Sequence, residues 1–449
     1  MYCWRLLGGT FNAMQNVRRS VGKVNDAIRD AVVRRHRPDY QIILFMGLLM
    51  LLGLIVMYAI GPQRANVLNN SYGTDFYTST YFVIKQGASI LLAIVAFIIM
   101  ATVPFDFIRQ NAKKILFFGL GACALLYITG NILHLDAIAK CELGGAACRW
   151  FNLGPLGSIQ PAEILKFGLL VYVAGFLGMR IKQGLINDMD KTIIPLGALI
   201  VLSVVIIIGI QQDMGTGLAM LAIIACMLVV GGTNKKIGAM LIAIGLLGGL
   251  LMIAIAPHRM DRVTTFLAGD SSMTTGDADA NYHINHAKIA IGSGGFTGVG
   301  IGNSVQATGY LPEAINDSVF AIMGETFGFV GLTVILLLFT ALLLRLLKIT
   351  DHLPDVWMKL AVAGIFGWLA SHVILNVAAM IGVFPLTGVT LPLLSFGGTS
   401  MIFIAGALGL AFQLSRYTVH RSTHKEMNDE NSSSRRGVGR TRYAGTRRR

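Results

Sequence analysis

Residues 281–331 read NYHINHAKIAIGSGGFTGVGIGNSVQATGYLPEAINDSVFAIMGETFGFVG. The stretch begins polar, passes through closely spaced glycines, and reaches two carboxylates, Glu313 and Asp317. It then enters an apolar run that continues to about residue 344. A run of that length spans a bilayer. Two acidic side chains therefore stand at the mouth of a membrane helix, and the rest of the chain reads as the scaffold around that mouth.

Outward from this stretch the pattern repeats. The chain has 449 residues, of which 54% are hydrophobic and 13% charged, against about a quarter charged in ordinary soluble domains. Apolar runs lie near 42–60, 87–103, 115–133, 164–179, 193–210, 214–232, 237–256, 318–344, 360–383 and 395–414. The pattern predicts an all-α polytopic membrane protein with about ten transmembrane helices. A large extracytoplasmic loop, 257–317, joins helices 7 and 8. Residues 1–40 form a basic leader, 41–415 the membrane domain, and 416–449 a basic tail expected to be disordered. The leader lacks the apolar core of a secretory signal.

Charge sets the orientation. The formal net charge is +14. Of the 37 Lys and Arg, all but Arg64, Lys85, Lys140, Arg149, Lys166, Arg259, Arg262 and Lys288 fall on one side of an alternating threading. The positive-inside rule makes that side, with both termini, cytoplasmic. Loops 134–160 and 257–317 then face outward, and long loops point to function on the outer face.

Nucleotide-driven chemistry lacks support. Gly292, Gly294, Gly295, Gly298, Gly300 and Gly302 do not give GxGxxG, and no GxxxxGK[ST] occurs. The segment reads instead as a flexible or closely packed re-entrant element. Most other glycines read as helix-packing positions. Lys85, Glu163, Lys166, Asp213 and Glu325 sit in or beside apolar runs. Each must face a polar interior or an ion partner; Glu163 and Lys166, three apart on one helix face, fit either.

Asp317 is the sharpest catalytic candidate, a carboxylate at a cavity mouth suited to general-base work. Asn316, Asp317 and Ser318 equally suit a helix N-cap. His283 and His286, with Asp277 and Asp279 nearby, offer a weak metal pattern against a solvated loop. No CxxC pair exists among the five cysteines, so structural zinc is disfavoured. Cys141 and Cys148 share one outer loop and either pair or stay free.

The chain resembles the SEDS family of bacterial cell-wall polymerases over about residues 40–414. RWFNLGPLGSIQPAEILKF (149–167), QQDMGTGLAM (211–220), the opening stretch and GVTLPLLSFGGTSM (388–401) carry the likeness. It implies a peptidoglycan glycosyltransferase that polymerises lipid II, an undecaprenyl pyrophosphate-linked disaccharide-peptide, on the outer face of the cytoplasmic membrane. The implied partners are a class B penicillin-binding protein and divisome membrane proteins, with no nucleic acid. The PE-x-x-x-D segment carries the catalytic role to Asp317. Side and charge sign make Arg149, Lys166, Asp213, Arg259 and Glu313 candidates for binding substrate, and Trp150 either stacks against sugar or lipid or anchors at the membrane interface. No protein-held metal is assigned, although a divalent cation (Mg or Mn) could share the pyrophosphate charge.

The chain departs from the family pattern at Ile315-Asn316, where His-Thr is usual, at Ser318 for Phe, and at Phe396 for Tyr. A Gln also precedes Asp213 where Pro is usual. The leader, the tail and GNSVQATGYLPEA are more similar to the FtsW branch than to RodA, which points to the division septum. The alternatives are an elongation-type polymerase, a lipid II flippase using Glu325, His372 and Asn376, and a scaffold that recruits the penicillin-binding protein.

Overall fold

The computed structural model describes residues 36–135, 137–141, 148–154, 157–254 and 278–419. The leader to residue 35, the tail from 420, Arg259, Arg262, Asp277 and the side chain of Asp279 lie outside the described residues.

The elements run α1 Tyr40–Tyr72, α2 Tyr81–Thr102, a short α3 Phe105–Gln110, and α4 Ala112–Tyr127 extended by a π turn to Ile132. A three-stranded antiparallel sheet follows: β1 Ala139–Cys141, β2 Cys148–Asn152 and β3 Ser158–Ile159. Then come α5 Pro161–Lys182, α6 Ile194–Val204 between two π turns, α7 Met214–Val230 and α8 Lys235–Ala254. The last four are α9 Ala278–Ser293, α10 Val319–His352, α11 Val356–Met380 and α12 Gly398–Leu414.

Eight helices among the described residues are long and apolar enough to cross a membrane. Two further expected runs are also helical: α7 has 17 residues and α8 has 20. Aspartates start several of them. Asp39 accepts from Gln41 N, Asp213 from Thr216 N, and Asp355 from Trp357 N and Met358 N. Each carboxylate satisfies amide donors that the first turn leaves open.

Two boundaries differ from the sequence expectation. The first apolar run ends near residue 60, yet α1 continues through Pro62 to Tyr72. Gly73 stops it in the left-handed conformation, φ 63°, with its N–H on Asn69 O. The outer loop 257–317 contains α9, whose Ala287 and Ala290 are buried. The helix is too polar to read as a span, and its packing on α10 is a tertiary effect.

Small residues let the helices approach. A Cβ on Gly119 would lie 2.7 Å from Leu165 Cα, and one on Gly168 would lie 2.9 Å from Leu116 Cα. α4 and α5 thus touch backbone to backbone. α11 is the most enclosed of the eight spans and packs against α5, α7, α10 and α12.

The glycine segment is packed rather than loose. α10 breaks at Gly328, φ 63° and ψ −165°. Residues 294–300 dock into that break. Val299 N donates to Glu325 O at 2.9 Å, Gly300 N to Thr326 O at 3.1 Å, and Phe329 N to Gly295 O at 2.9 Å. These bonds replace the helical ones lost at the kink, so irregular backbone stays satisfied.

The two ends of the bundle collect different segments. Asp39 N bonds Ser415 Oγ, Arg345 pairs with Asp39, and Val419 N reaches His352 O. Lys182 pairs with Asp355 at 3.2 Å. All of these belong to segments expected inside. Gln63 donates to Gly302 O and Gln160 to Asp213 at the opposite end, where the sheet and the 294–318 segment also lie.

Candidate active site

Residues 311–318 form a folded turn at the head of α10. Pro312 starts it, and Glu313 adopts φ 49°. Asn316 N and Ser318 N both return to Glu313 O, at 2.9 and 3.3 Å. The Asn316 amide also donates to the Glu313 carboxylate. Glu313 is thereby fixed on the exposed side of the turn, and Asp317 is half-buried on its inner side.

Ser318, not Asp317, occupies the N-cap position, and its side chain does not cap the helix. Its hydroxyl donates to Pro312 O at 2.8 Å and meets His283 Nε2 at 2.5 Å. A serine has one hydroxyl proton, so the imidazole N–H is the donor in the second bond. His283 reaches across from α9. The Asp317 turn is therefore tied to a separate helix.

Three further bonds hold this turn. Asn376 Nδ2 donates to Asp317 O at 2.7 Å and to Val389 O at 2.8 Å. Phe396 N donates to Ile315 O at 2.8 Å. The 388–397 segment thus clamps the turn from the α11–α12 side. The same segment presses on the head of α7, where a Cβ on Gly215 would overlap the Val389 side chain.

The remaining candidates cluster around these elements with their polar groups engaged. Asp213 heads α7 and accepts from Thr216 N, Thr216 Oγ1 and Gln160 Nε2, at 2.8, 2.8 and 3.0 Å. Arg149 Nη2 donates to Gln212 O at 2.9 Å, joining the sheet to the same corner. Trp150, half-buried on β2, lies opposite Lys140. Lys166 is 0% exposed, with Glu163 at 2.8 Å, His372 Nε2 at 3.3 Å and the Trp368 ring at 5.0 Å. An ammonium only donates, so His372 Nε2 is the acceptor. Arg259 lies outside the described residues.

Glu325 is 1% exposed and does not face the turn mouth. Its carboxylate accepts from Ser304 Oγ at 2.5 Å, Val305 N at 3.0 Å and Gln306 N at 3.2 Å. It organises the segment leading to Pro312. The two histidines of the HxxH pattern diverge: His283 bonds Ser318, and His286 Nδ1 donates to Gln306 Oε1 at 2.7 Å. Among the described residues no three His, Cys, Asp or Glu side chains converge as metal ligands. Cys141 and Cys148 are disulfide-bonded across β1 and β2. Sequence reasoning did not give Ser318, Gln160 or Gln306 these roles. A hydroxyl or amide bordering an apolar run was the only signal for Ser318 and Gln160, and Gln306, away from every such run, carried none.

The model of the cell cycle protein family FtsW/RodA/SpoVE matches residues 39–420. The chain belongs to that family. It is 31% identical over 386 residues to stage V sporulation protein E of Bacillus subtilis, covering 86% of this chain and 99% of that one. It is 29% identical over 382 residues to the probable peptidoglycan glycosyltransferase FtsW of Nitrosomonas europaea, covering 84% and 93%. Among solved structures, a chain of a peptidoglycan synthase complex that coordinates polymerization and crosslinking superposes with TM-score 0.62 at 23% identity, over 84% of this chain and 98% of that one. The rod shape determining protein RodA of Thermus thermophilus superposes with TM-score 0.56 at 22% identity, over 85% and 98%. These two likenesses establish the FtsW/RodA/SpoVE fold for this chain.

Proposed function

We propose that this chain is a peptidoglycan glycosyltransferase that polymerises lipid II on the outer face of the cytoplasmic membrane, in cell division. The observation that carries the reading is Asp317: a half-buried carboxylate residue whose turn is held by Asn376, by His283 through Ser318, and by Phe396. A general base needs a fixed position more than a strong intrinsic basicity. In this reading Asp317 takes the proton of the acceptor sugar's 4-hydroxyl as that oxygen attacks the anomeric carbon of the lipid-linked donor. The bond to the pyrophosphate breaks, configuration inverts, and undecaprenyl pyrophosphate leaves.

The leaving group gathers negative charge. Arg149 and Arg259 are the cationic candidates to meet it, and a divalent cation could share it. Lys166 is enclosed by Glu163, His372 and Trp368, so its part is to hold α5 against α11. Asp213 likewise shapes the α7 corner through Thr216 and Gln160. Trp150 and Glu313, at the sheet and on the exposed side of the turn, border the space for sugar.

Both termini are cytoplasmic in this reading, and the partners are a class B penicillin-binding protein and other divisome membrane proteins at the septum. The structural neighbour belongs to a peptidoglycan synthase complex that coordinates polymerization and crosslinking, which supports such a partner. The flippase reading needs a polar path through the bilayer. Glu325, Asn376 and His372 each hold neighbouring groups instead, which favours the enzyme. Scaffolding alone gives no reason to brace Asp317.

The test is glycan-strand formation from lipid II by the purified chain with a class B partner, wild type against Asp317→Asn. The reading expects polymer from the wild type and none from a folded, partner-bound variant. Equal activity moves the base elsewhere. An inactive wild type, in an assay that a known polymerase passes, overturns the enzyme reading.

A further inference from the structure

α9 presents two adjacent faces. One carries His283, which bonds Ser318 beside Asp317 at 2.5 Å. The neighbouring face carries Tyr282 and His286, one turn apart. Their ring centroids lie 4.0 Å apart, with the planes tilted by 38°. The Tyr310 ring continues the column, 6.1 Å from His286 and only 10° from parallel with it. Tyr282 is 42% exposed and Tyr310 is 53% exposed. The result is a column of three rings with exposed ends, two on the helix that braces the Asp317 turn and the third on the segment that leads into that turn.

The column is anchored from below. His286 Nδ1 donates to Gln306 Oε1 at 2.7 Å. Gln306 N in turn donates to the buried Glu325 carboxylate at 3.2 Å. Tyr310 directly precedes Leu311, which is 0% exposed and opens the Asp317 turn. An aromatic residue that merely marks the membrane interface needs no such support, because its ring partitions there unaided. Here buried groups fix the imidazole at the centre of the column, and the flanking rings stay exposed. Such a surface suits flat, C–H-rich faces ringed by hydroxyls, which are the faces of a pyranose.

We propose that Tyr282, His286 and Tyr310 form a saccharide subsite that holds a hexosamine ring of the glycan, next to the sugar whose hydroxyl reaches Asp317. The proposal rests on the polymerase reading for the identity of the sugar. The geometric part, Tyr282 and His286 on the helix of His283 with Tyr310 beside them, stands independently. The subsite's function is to keep the strand engaged between additions, so that the next hydroxyl arrives already aligned.

The experiment has two readouts. The first is saturation-transfer NMR on detergent-solubilised full chain, with a lipid-free oligosaccharide of two GlcNAc–MurNAc-pentapeptide units as probe. The variants are Tyr310→Ala, Tyr282→Ala and the ring-conserving Tyr310→Phe and Tyr282→Phe, with thermal unfolding as the folding control. The wild type and the Phe variants are expected to show saturation of the pyranose ring protons. The Ala variants are expected to lose binding about fivefold or more. The second readout is strand length from lipid II, expected to shorten in the Ala variants while first-bond formation persists. Equal probe binding by folded Ala variants and wild type, or no binding by the wild type, overturns the subsite. A wild type that binds the probe but makes no polymer overturns the polymerase reading and leaves the saccharide site standing.

Discussion

The side-chain amide of Asn376 donates to the main-chain carbonyl of Asp317 at 2.7 Å. The second hydrogen of that amide reaches Val389 O at 2.8 Å, so one buried side chain in α11 sets the position of the turn and of the 388–397 segment together. Asn376→Ala removes both bonds and leaves two carbonyls without their partner, at about 1–3 kcal/mol each. The expected outcome is a folded protein with a lower unfolding temperature and a polymerisation rate reduced about tenfold or more. Asn376→Leu should do no better, because size is not what the site needs. A rate equal to wild type would show that the Asp317 turn holds its place without α11.

The docking of the glycine segment into the α10 break makes a second, position-specific prediction. A Cβ on Gly298, at φ 83°, would overlap the Thr326 carbonyl. One on Gly294 would likewise overlap the carbonyl of Gly324. A Cβ on Gly292, two residues earlier, would meet nothing within 4 Å. Gly298→Ala therefore has to push the segment out of the break, and its positive φ adds backbone strain. The expected loss is about 3 kcal/mol or more of stability around α10. Gly292→Ala, in the last turn of α9, should stay within about 0.5 kcal/mol. Thermal unfolding of the two variants side by side checks the difference, and equal behaviour would remove the docked geometry.

Glu325 gives a third prediction. Its carboxylate accepts from Ser304 Oγ, Val305 N and Gln306 N. In Glu325→Gln the carboxamide keeps one acceptor oxygen and turns an NH2 toward two backbone N–H donors and the Ser304 hydroxyl, which already accepts from Ala307 N. The expected cost is about 1.5–3 kcal/mol for the lost charge-assisted bonds. Hydrogen exchange should report it as faster exchange at the amides of 304–307, with the rest of α10 unchanged. If Glu325 served a transport path instead, those amides would keep their protection while translocation stopped.

These relationships explain what the sequence revealed and what it withheld. The apolar runs announced the spans because each is long, and the charge bias grouped segments that the fold does bring to one end, as in Asp39 with Arg345 and Lys182 with Asp355. Asp317 stood out because it ends the PE-x-x-x-D segment; a place at the head of an apolar run does not single it out, since Asp39, Asp213 and Asp355 share it. The break at Gly328 was hidden, since residues 318–344 read as one continuous run and the partner that fills the break lies some thirty residues earlier. His283 was read with His286 as a metal pattern. Its true partner, Ser318, is 35 positions away, and no local spacing rule reaches that far.

The buried pair Glu163–Lys166 separates a structural from a substrate-binding role. Both side chains are almost fully enclosed and 2.8 Å apart. Removing one charge strands the other in a low-dielectric interior, so Lys166→Met alone is expected to cost about 3–5 kcal/mol. Removing both charges, in Glu163→Gln with Lys166→Met, should restore much of that stability, because the desolvation cost disappears with the charges. The decisive quantity is the activity of the double variant. If Lys166 only holds α5 against His372 of α11, the stable double variant polymerises at a substantial fraction of the wild-type rate. If the ammonium instead meets the pyrophosphate, the double variant unfolds like wild type but makes no polymer, and Lys166 returns to the substrate contacts.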